Sequence, residues 1–271
     1  MDLEELIITR PTPGVTCLSL NRPQELNAWT YDLEERFFAA LNNLRHDPET
    51  RVVLITGRGR AFCAGMSMTA LSAAGRARQV APPAENRPRM TEISAFPKPT
   101  IAVVNGPAAG IGLALALHCD LRFVATTAKL TTSFARRGLI AEHGTAWLLP
   151  RLVGIATATD LLLTGRVVLG EEARSLGLAN YCAPPDELLA AATAYADEMA
   201  RHCSPRSWDI IKGQLAHGFA VGREESFAMA MDLAYRSLLS EDFREGVAAY
   251  RAKRPPAFPP LSPNATSETA C

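Results

Sequence analysis

The residues of this chain best suited to chemistry sit in two glycine-rich turns about forty residues apart. The first is Gly59-Arg60-Ala61-Phe62-Cys63-Ala64-Gly65-Met66. The second is Asn105-Gly106-Pro107-Ala108-Ala109-Gly110-Ile111-Gly112, entered through Lys98-Pro99-Thr100-Ile101-Ala102-Val103-Val104. Each follows an apolar, β-branched run, and the second leads into a helical pattern from Leu113 to His118. Turns of this composition can aim unpaired backbone N–H groups into a cleft. Two such groups converging on one carbonyl oxygen form an oxyanion hole, which stabilises the negative charge that develops there during reaction.

With Asn21-Arg22-Pro23-Gln24-Glu25-Leu26-Asn27-Ala28 upstream and Cys119-Asp120-Leu121-Arg122 downstream, the chain resembles the crotonase (enoyl-CoA hydratase/isomerase) superfamily from about Glu5 to Phe258. The resemblance implies a crotonase-like α/β fold, a ββα superhelix (spiral) with a C-terminal helical trimerisation region. It also implies an acyl-CoA thioester substrate, an enolate intermediate, no cofactor beyond the CoA of the substrate, and a homotrimer or homohexamer. It leaves the reaction open, because one scaffold of this kind hosts many chemistries. By the same match the N–H groups of Met66 and Ile111 are the oxyanion donors. The second opens a helix, where the macrodipole adds stabilisation. One such donor can be worth roughly 3–4 kcal/mol.

The hydratases of this family use two glutamates, and the matching positions here are Ala114 and Phe134. Neither side chain can move a proton, so the two-carboxylate hydration mechanism is not expected. Glu142, in Gly138-Leu139-Ile140-Ala141-Glu142-His143-Gly144, falls where similar isomerases and dehalogenases carry an aspartate. Burial between the apolar stretch before it and the helix bearing Trp147 and Leu148 would raise its pKa toward the range of a working acid/base. Glu142 could instead be a helix N-cap or first-turn acid. His143 is a second catalytic candidate, weighed equally against a structural role. His118, on an apolar helix, reads as a satisfied core residue, and Asp120 reads as structural. Three readings follow: isomerisation or atypical hydration of an enoyl-CoA with Glu142 as the single acid/base; C–C or thioester hydrolysis with Glu142 as nucleophile or water activator; or acyl-CoA binding without catalysis. Glu85 and Glu92 are the reserve carboxylates.

Family matching also suggests CoA contacts. Arg60 falls where a lysine often faces the CoA phosphates, and an arginine keeps the charge and adds a bidentate fork. Ala64, Met66 and Met68 match the segment whose backbone reads the adenine, and Lys253 lies near a basic residue of the C-terminal region. Gln24 replaces a common lysine. There is no phosphate loop after Gly57-x-Gly59, no GxSxG elbow and no His/Cys/Asp spacing that suggests a metal.

The elements that must hold these residues are legible in outline. Leu6–Thr9 and Val15–Leu20 read as strands around Pro13-Gly14. Thr30 caps a helix running to about His46, with Leu33, Phe37 and Leu41 on one face. Val52–Thr56, Thr100–Val104 and Leu121–Val124 read as buried strands. Met66 to Phe96, with Gly75, Pro82, Pro83 and Pro88, reads as a mobile active-site segment with helical pieces. From Asp186 the pattern is helical: 186–203, 205–217, 225–239 and 241–253. The expected organisation is a spiral core over 1–200, a helical region over 201–258 and a disordered tail over 259–271.

Composition sets the outer bounds. The 271 residues are 48% hydrophobic, enough for a large core, and 28 basic residues balance 28 acidic ones. No global field favours nucleic acid or a membrane surface. No apolar run is long enough to span a bilayer, and Met1-Asp2-Leu3-Glu4-Glu5 lacks a signal-peptide pattern. The six cysteines show no CxxC pairing and read as reduced core thiols of a cytoplasmic protein.

Overall fold

The structure, a computed structural model, describes residues 4–70, 72 and 90–261. Strands β1 (Leu6–Thr12) and β2 (Gly14–Leu20) form an antiparallel hairpin, with Leu6 opposite Leu20. The first strand runs three residues further than the sequence pattern predicts. Its register shifts between Thr9 and Thr12, where Pro11 has no N–H to donate. Helix α1 (Tyr31–His46) begins where expected: the Thr30 hydroxyl accepts from the Leu33 N–H at 3.1 Å. Its buried face carries Leu33, Phe37, Leu41 and Leu44.

Beyond the hairpin, β3 (Thr50–Gly57), β4 (Thr100–Val104), β6 (Leu121–Ala125) and β9 (Tyr181–Ala183) join β2 in parallel, giving a sheet of order β1-β2-β3-β4-β6-β9. Val52 to Ile55 and Ile101 to Val104 are fully buried, which is why they read as unbroken apolar runs. Short strands β5 (Ala108–Ala109), β7 (Lys129–Thr131) and β8 (Val168–Leu169) make a second sheet of order β5-β7-β8. The chain therefore passes through one sheet and then the other before turning into a helix. It runs β4, β5, then α3 (Ile111–His118), and then β6, β7 and the helices α4 (Thr145–Val153) and α5 (Ile155–Thr164). This is the ββα recurrence that the resemblance implies. Between β3 and β4 lies the short helix α2 (Thr91–Ser94), and α6 (Gly170–Ser175) follows β8.

Helix α7 (Leu188–His202) crosses the parallel sheet on Leu188, Ala192, Ala196 and Ala200, a four-residue stripe in which alanine allows close approach. Helices α8 (Pro205–Gly218), α9 (Arg223–Leu238) and α10 (Glu241–Ala252) follow, within a few residues of the expected boundaries. Ser204 and Ser240 cap the first and last of these. Most of the expected mobile segment, including Glu85, and residues 262–271 of the expected tail lie outside the described residues. The cysteine expectation needs correction. Cys17, Cys63 and Cys119 are buried, and burial pushes the last two up to about 12, but Cys182 is half-buried and Cys203 is exposed. Cys203 is the residue just beyond α7, after the exposed Arg201 and His202.

The two glycine turns are locked backbone to backbone. A Cβ on Gly106 would sit 2.1 Å from the Arg60 carbonyl oxygen, and one on Gly112 would sit 2.1 Å from the Cys63 carbonyl oxygen. Cys63 N donates to Pro107 O at 3.1 Å, and Ala109 N donates to Cys63 O at 3.1 Å. An alanine inside an ordinary helix is worth about 1 kcal/mol more than a glycine. For Gly112→Ala we expect the opposite sign, a loss of about 2 kcal/mol from overpacking, read as a lower urea midpoint. An unchanged or higher midpoint would show that the turns can separate at little cost.

Candidate active site

The first turn is held by two asparagines. Buried Asn27, at φ 55°, accepts from Arg22 N at 2.8 Å and donates through Nδ2 to Ala61 O at 2.7 Å and Arg58 O at 2.9 Å. Asn105, from the second turn, donates to Gly59 O at 3.0 Å and accepts from Gly57 N at 3.3 Å. Downstream, Trp29 N donates to Gly65 O and Ser67 N donates to Trp29 O, each at 2.8 Å. This parallel pairing turns Gly65 O and Ser67 N toward Trp29, so the intervening Met66 N–H faces the other way. It finds no acceptor among the described residues.

Ile111 is the first residue of α3. Gly110 before it adopts φ 52° and ψ −119°, donates its own N–H to Thr131 O at 3.1 Å, and supplies no side-chain cap. The Ile111 N–H is one of the orphan donors of a helix start and has no acceptor among the described residues. Cys63 and Ala108 are bridged, and a Cβ on Gly65 would lie 3.1 Å from Ala109 O. The stretches carrying Met66 and Ile111 are thus in direct contact, and both N–H groups are unspent.

The surroundings are apolar. Ala114 is fully buried on α3. Phe134 is buried too, and its ring edge lies 3.8 Å from where a Gly110 Cβ would stand. The positions at which the resemblance looks for hydratase glutamates are therefore hydrocarbon walls, one of them beside the turn that presents Ile111.

Glu142 and His143 lie in the connection from the short helix Ala135–Arg137 to α4. Glu142 is not a cap: the N-cap is Gly144, two residues later, which cannot supply a side chain. The Glu142 side chain is 39% exposed, and partial burial pushes its carboxyl above the ordinary range. The backbone beneath it is fixed, because Glu142 O accepts from Thr145 N at 3.1 Å and from Thr145 Oγ1 at 2.8 Å. His143 Nε2 stands 3.9 Å from Glu142 Oε2. Burial, and then the nearby His118, lower the His143 pKa, so the ring is neutral near pH 7 and makes no charge-paired bridge. Glu92 on α2 is exposed. Asp120 is structural, as expected: its Oδ2 accepts from Thr100 N, Thr100 Oγ1 and Lys212 Nζ at 2.6–2.9 Å.

The candidate CoA contacts are less concentrated. Arg60 is exposed on the rim of a cleft of about 630 Å3 at the carboxyl ends of the parallel strands, a rim that also carries Arg58 and Lys129. Ala64 and Met66 are half-buried, and Met68 is exposed. None of these three lines that cleft. Lys253 is exposed at the end of α10 in a left-handed conformation, φ 51°, and does not line it either. The structure therefore brings Met66 and Ile111 together, and Glu142 and His143 together, but does not gather Arg60 and Lys253 into one cavity among the described residues.

Sequence reasoning missed the roles of Asn27 and Asn105. Their signal was present, since an asparagine between turn residues tolerates positive φ and can bond backbone groups through both ends of its amide.

The family model for enoyl-CoA hydratase/isomerase matches residues 11–260. A 1,2-epoxyphenylacetyl-CoA isomerase of Escherichia coli strain K12 is 33% identical over 261 residues, covering 94% of this chain and 98% of that protein. A mitochondrial enoyl-CoA hydratase domain-containing protein 2 of Mus musculus is 34% identical over 261 residues, covering 95% and 88%. The crystal structure of an enoyl-CoA hydratase from Polaromonas sp. JS666 superposes with a TM-score of 0.86 at 30% identity, covering 93% of this chain and 99% of that one. Among the described residues, no helix is long and apolar enough to cross a membrane.

Proposed function

Because this chain belongs to the enoyl-CoA hydratase/isomerase family, we propose that it is an acyl-CoA isomerase that shifts a double bond through a thioester enolate, with Glu142 as its single proton carrier. The Glu142 carboxylate takes a proton from the carbon α to the thioester carbonyl of a β,γ-unsaturated acyl chain. The electron pair moves onto the thioester oxygen, where the Met66 and Ile111 N–H groups stabilise it. The same carboxylic acid returns the proton to the other end of the allylic system. Atoms balance with no water consumed, so one carboxylate is sufficient.

One observation carries this reading. Ala114 and Phe134 leave buried hydrocarbon where a two-carboxylate hydratase needs its acid and base, whereas Glu142 keeps an ionisable group with a raised pKa on a fixed backbone. The E. coli relative, named as an isomerase of a CoA thioester, supports the same class. Arg60, with Arg58 and Lys129 nearby, supplies positive charge suited to the CoA phosphates. The assembly belongs to the proposal as well. Phe219, Phe227, Tyr235 and Leu239, from the last turns of α8 through α9, are each more than half exposed in a single chain. Their burial against further copies fits a trimer or a pair of trimers.

Mass spectrometry of products from an enoyl-CoA panel tests the reaction. We expect a product of unchanged mass and shifted double bond; gain of water indicates hydration, and free CoA indicates hydrolysis. Glu142→Gln should lose at least about a hundredfold in kcat with substrate binding retained. The raised carboxyl pKa places the sign of the pH dependence. The base form is lost as pH falls through a value above the ordinary carboxylate range of about 4.3, so the acidic limb of kcat should lie above that range.

At the oxyanion hole, Ile111→Pro should abolish turnover because it removes the N–H, and it should keep the fold at the cost of some buried hydrocarbon, because proline is accepted at the first helical position. Ile111→Val should remain active. Equal activity of the two folded variants would rule out the backbone donor. For the assembly, light scattering at micromolar concentration should give the mass of a trimer or hexamer, and a monomer would count against it.

A further inference from the structure

We propose that His118 is a positioning residue for this reaction: its imidazole clamps the backbone on which Glu142 is mounted, linking the far end of the oxyanion helix to the proton carrier. The inference rests on the reading of Glu142 given above and deepens it.

His118 is the last residue of α3, in a helix otherwise built of Ile, Gly, Leu and Ala, and only 4% of it is exposed. Its Nε2 lies 2.8 Å from the His143 carbonyl oxygen. A carbonyl can only accept, so Nε2 carries the hydrogen. In a neutral ring Nδ1 is then an acceptor, and the Ser94 hydroxyl on α2 fills it at 2.8 Å. Burial holds the His118 pKa down, consistent with that neutral tautomer. Both ring nitrogens are used, and neither points to an open site.

The group being held is unusual. His143 has φ 53° and Gly144 has φ 71°, two consecutive left-handed residues. A non-glycine residue in that region is unfavourable without support. A Cβ on Gly144 would lie 3.7 Å from His118 Nε2, so the ring packs directly beneath this turn. Thr145 pins the Glu142 carbonyl from the α4 side. His118 pins the next carbonyl from the α3 side. The peptide plane between Glu142 and His143 is therefore held by one element and the plane after it by another, which fixes where the carboxylate starts. Ser94 extends the tie to α2, so three elements meet at one imidazole. A small displacement of a proton carrier is enough to slow a reaction severely.

The test is a double-mutant cycle on kcat and KM with an accepted enoyl-CoA substrate, each variant checked for folding by thermal melting. His118→Leu should lower kcat about tenfold to a hundredfold with KM little changed. His118→Gln, whose amide can reach the His143 carbonyl, should recover most of the loss. Ser94→Ala should show a smaller loss of the same kind, and it serves in place of His118→Leu if that variant does not fold. In a Glu142→Gln background, none of these substitutions should lower kcat further. Wild-type kcat in His118→Leu, or in Ser94→Ala if only that variant folds, overturns the clamp. A loss that persists undiminished in the Glu142→Gln background also overturns it, by showing a role independent of Glu142. Full activity of Glu142→Gln alone overturns the proton-carrier reading instead.

Discussion

The constraint on which the rest depends is the distance between two stretches of backbone. Gly106 against Arg60 and Gly112 against Cys63 leave no room for a single methyl group. Contact this close lets Cys63 bond Pro107 and Ala109 in succession and brings Met66 alongside the start of α3. Glycine is required at Gly112 for space, since its backbone is that of an ordinary helix, and at Gly65 and Gly110 for conformation, since both have positive φ. Buried backbone donors are normally satisfied. The Met66 and Ile111 N–H groups are left over because sheet pairing and helix start each orient one donor where the described residues offer no partner.

The same packing decides the electrostatics. Buried hydrocarbon at Ala114 and Phe134 lies on and beside the helix start that presents Ile111, and an electrostatic interaction strengthens as water is excluded. It also leaves no carboxylate at those two positions. In the proposed function, proton transfer is assigned to Glu142, on a separate loop. Partial burial gives Glu142 a higher pKa without the cost of a fully buried charge, and neutral His143 beside it does not pull that pKa back down. Under the proposed function the division is physically coherent: backbone would stabilise charge, one side chain would move the proton, and hydrocarbon would keep water from competing.

Helix α3 has two working ends. Its N-terminus presents Ile111, and its C-terminus presents His118 to the Glu142 loop. In between it is buried on every side, packed between the sheets and α4. A rigid, fully buried helix of two turns is a suitable strut between the Ile111 turn and the Glu142 loop, because neither end can move without disturbing the core.

Local chemistry made much of this legible from the sequence. Unbroken β-branched runs announced the parallel strands, Thr30 announced the start of α1, and Ser204 and Ser240 coincided with later helix starts, because caps and periodicity act within a few residues. The glycine turns and the family resemblance carried the fold and the acyl-CoA class. Tertiary structure decided what depends on residues distant in the chain. Asn105 grips a turn more than forty residues upstream, and Cys203 is exposed although Ser204 and Pro205 directly after it are buried. Glu142 fails to cap α4 because the helix starts after Gly144, and His118 meets His143 across 25 residues. Sequence spacing shows which side chains share an element, but only packing between elements shows which of them share a hydrogen bond.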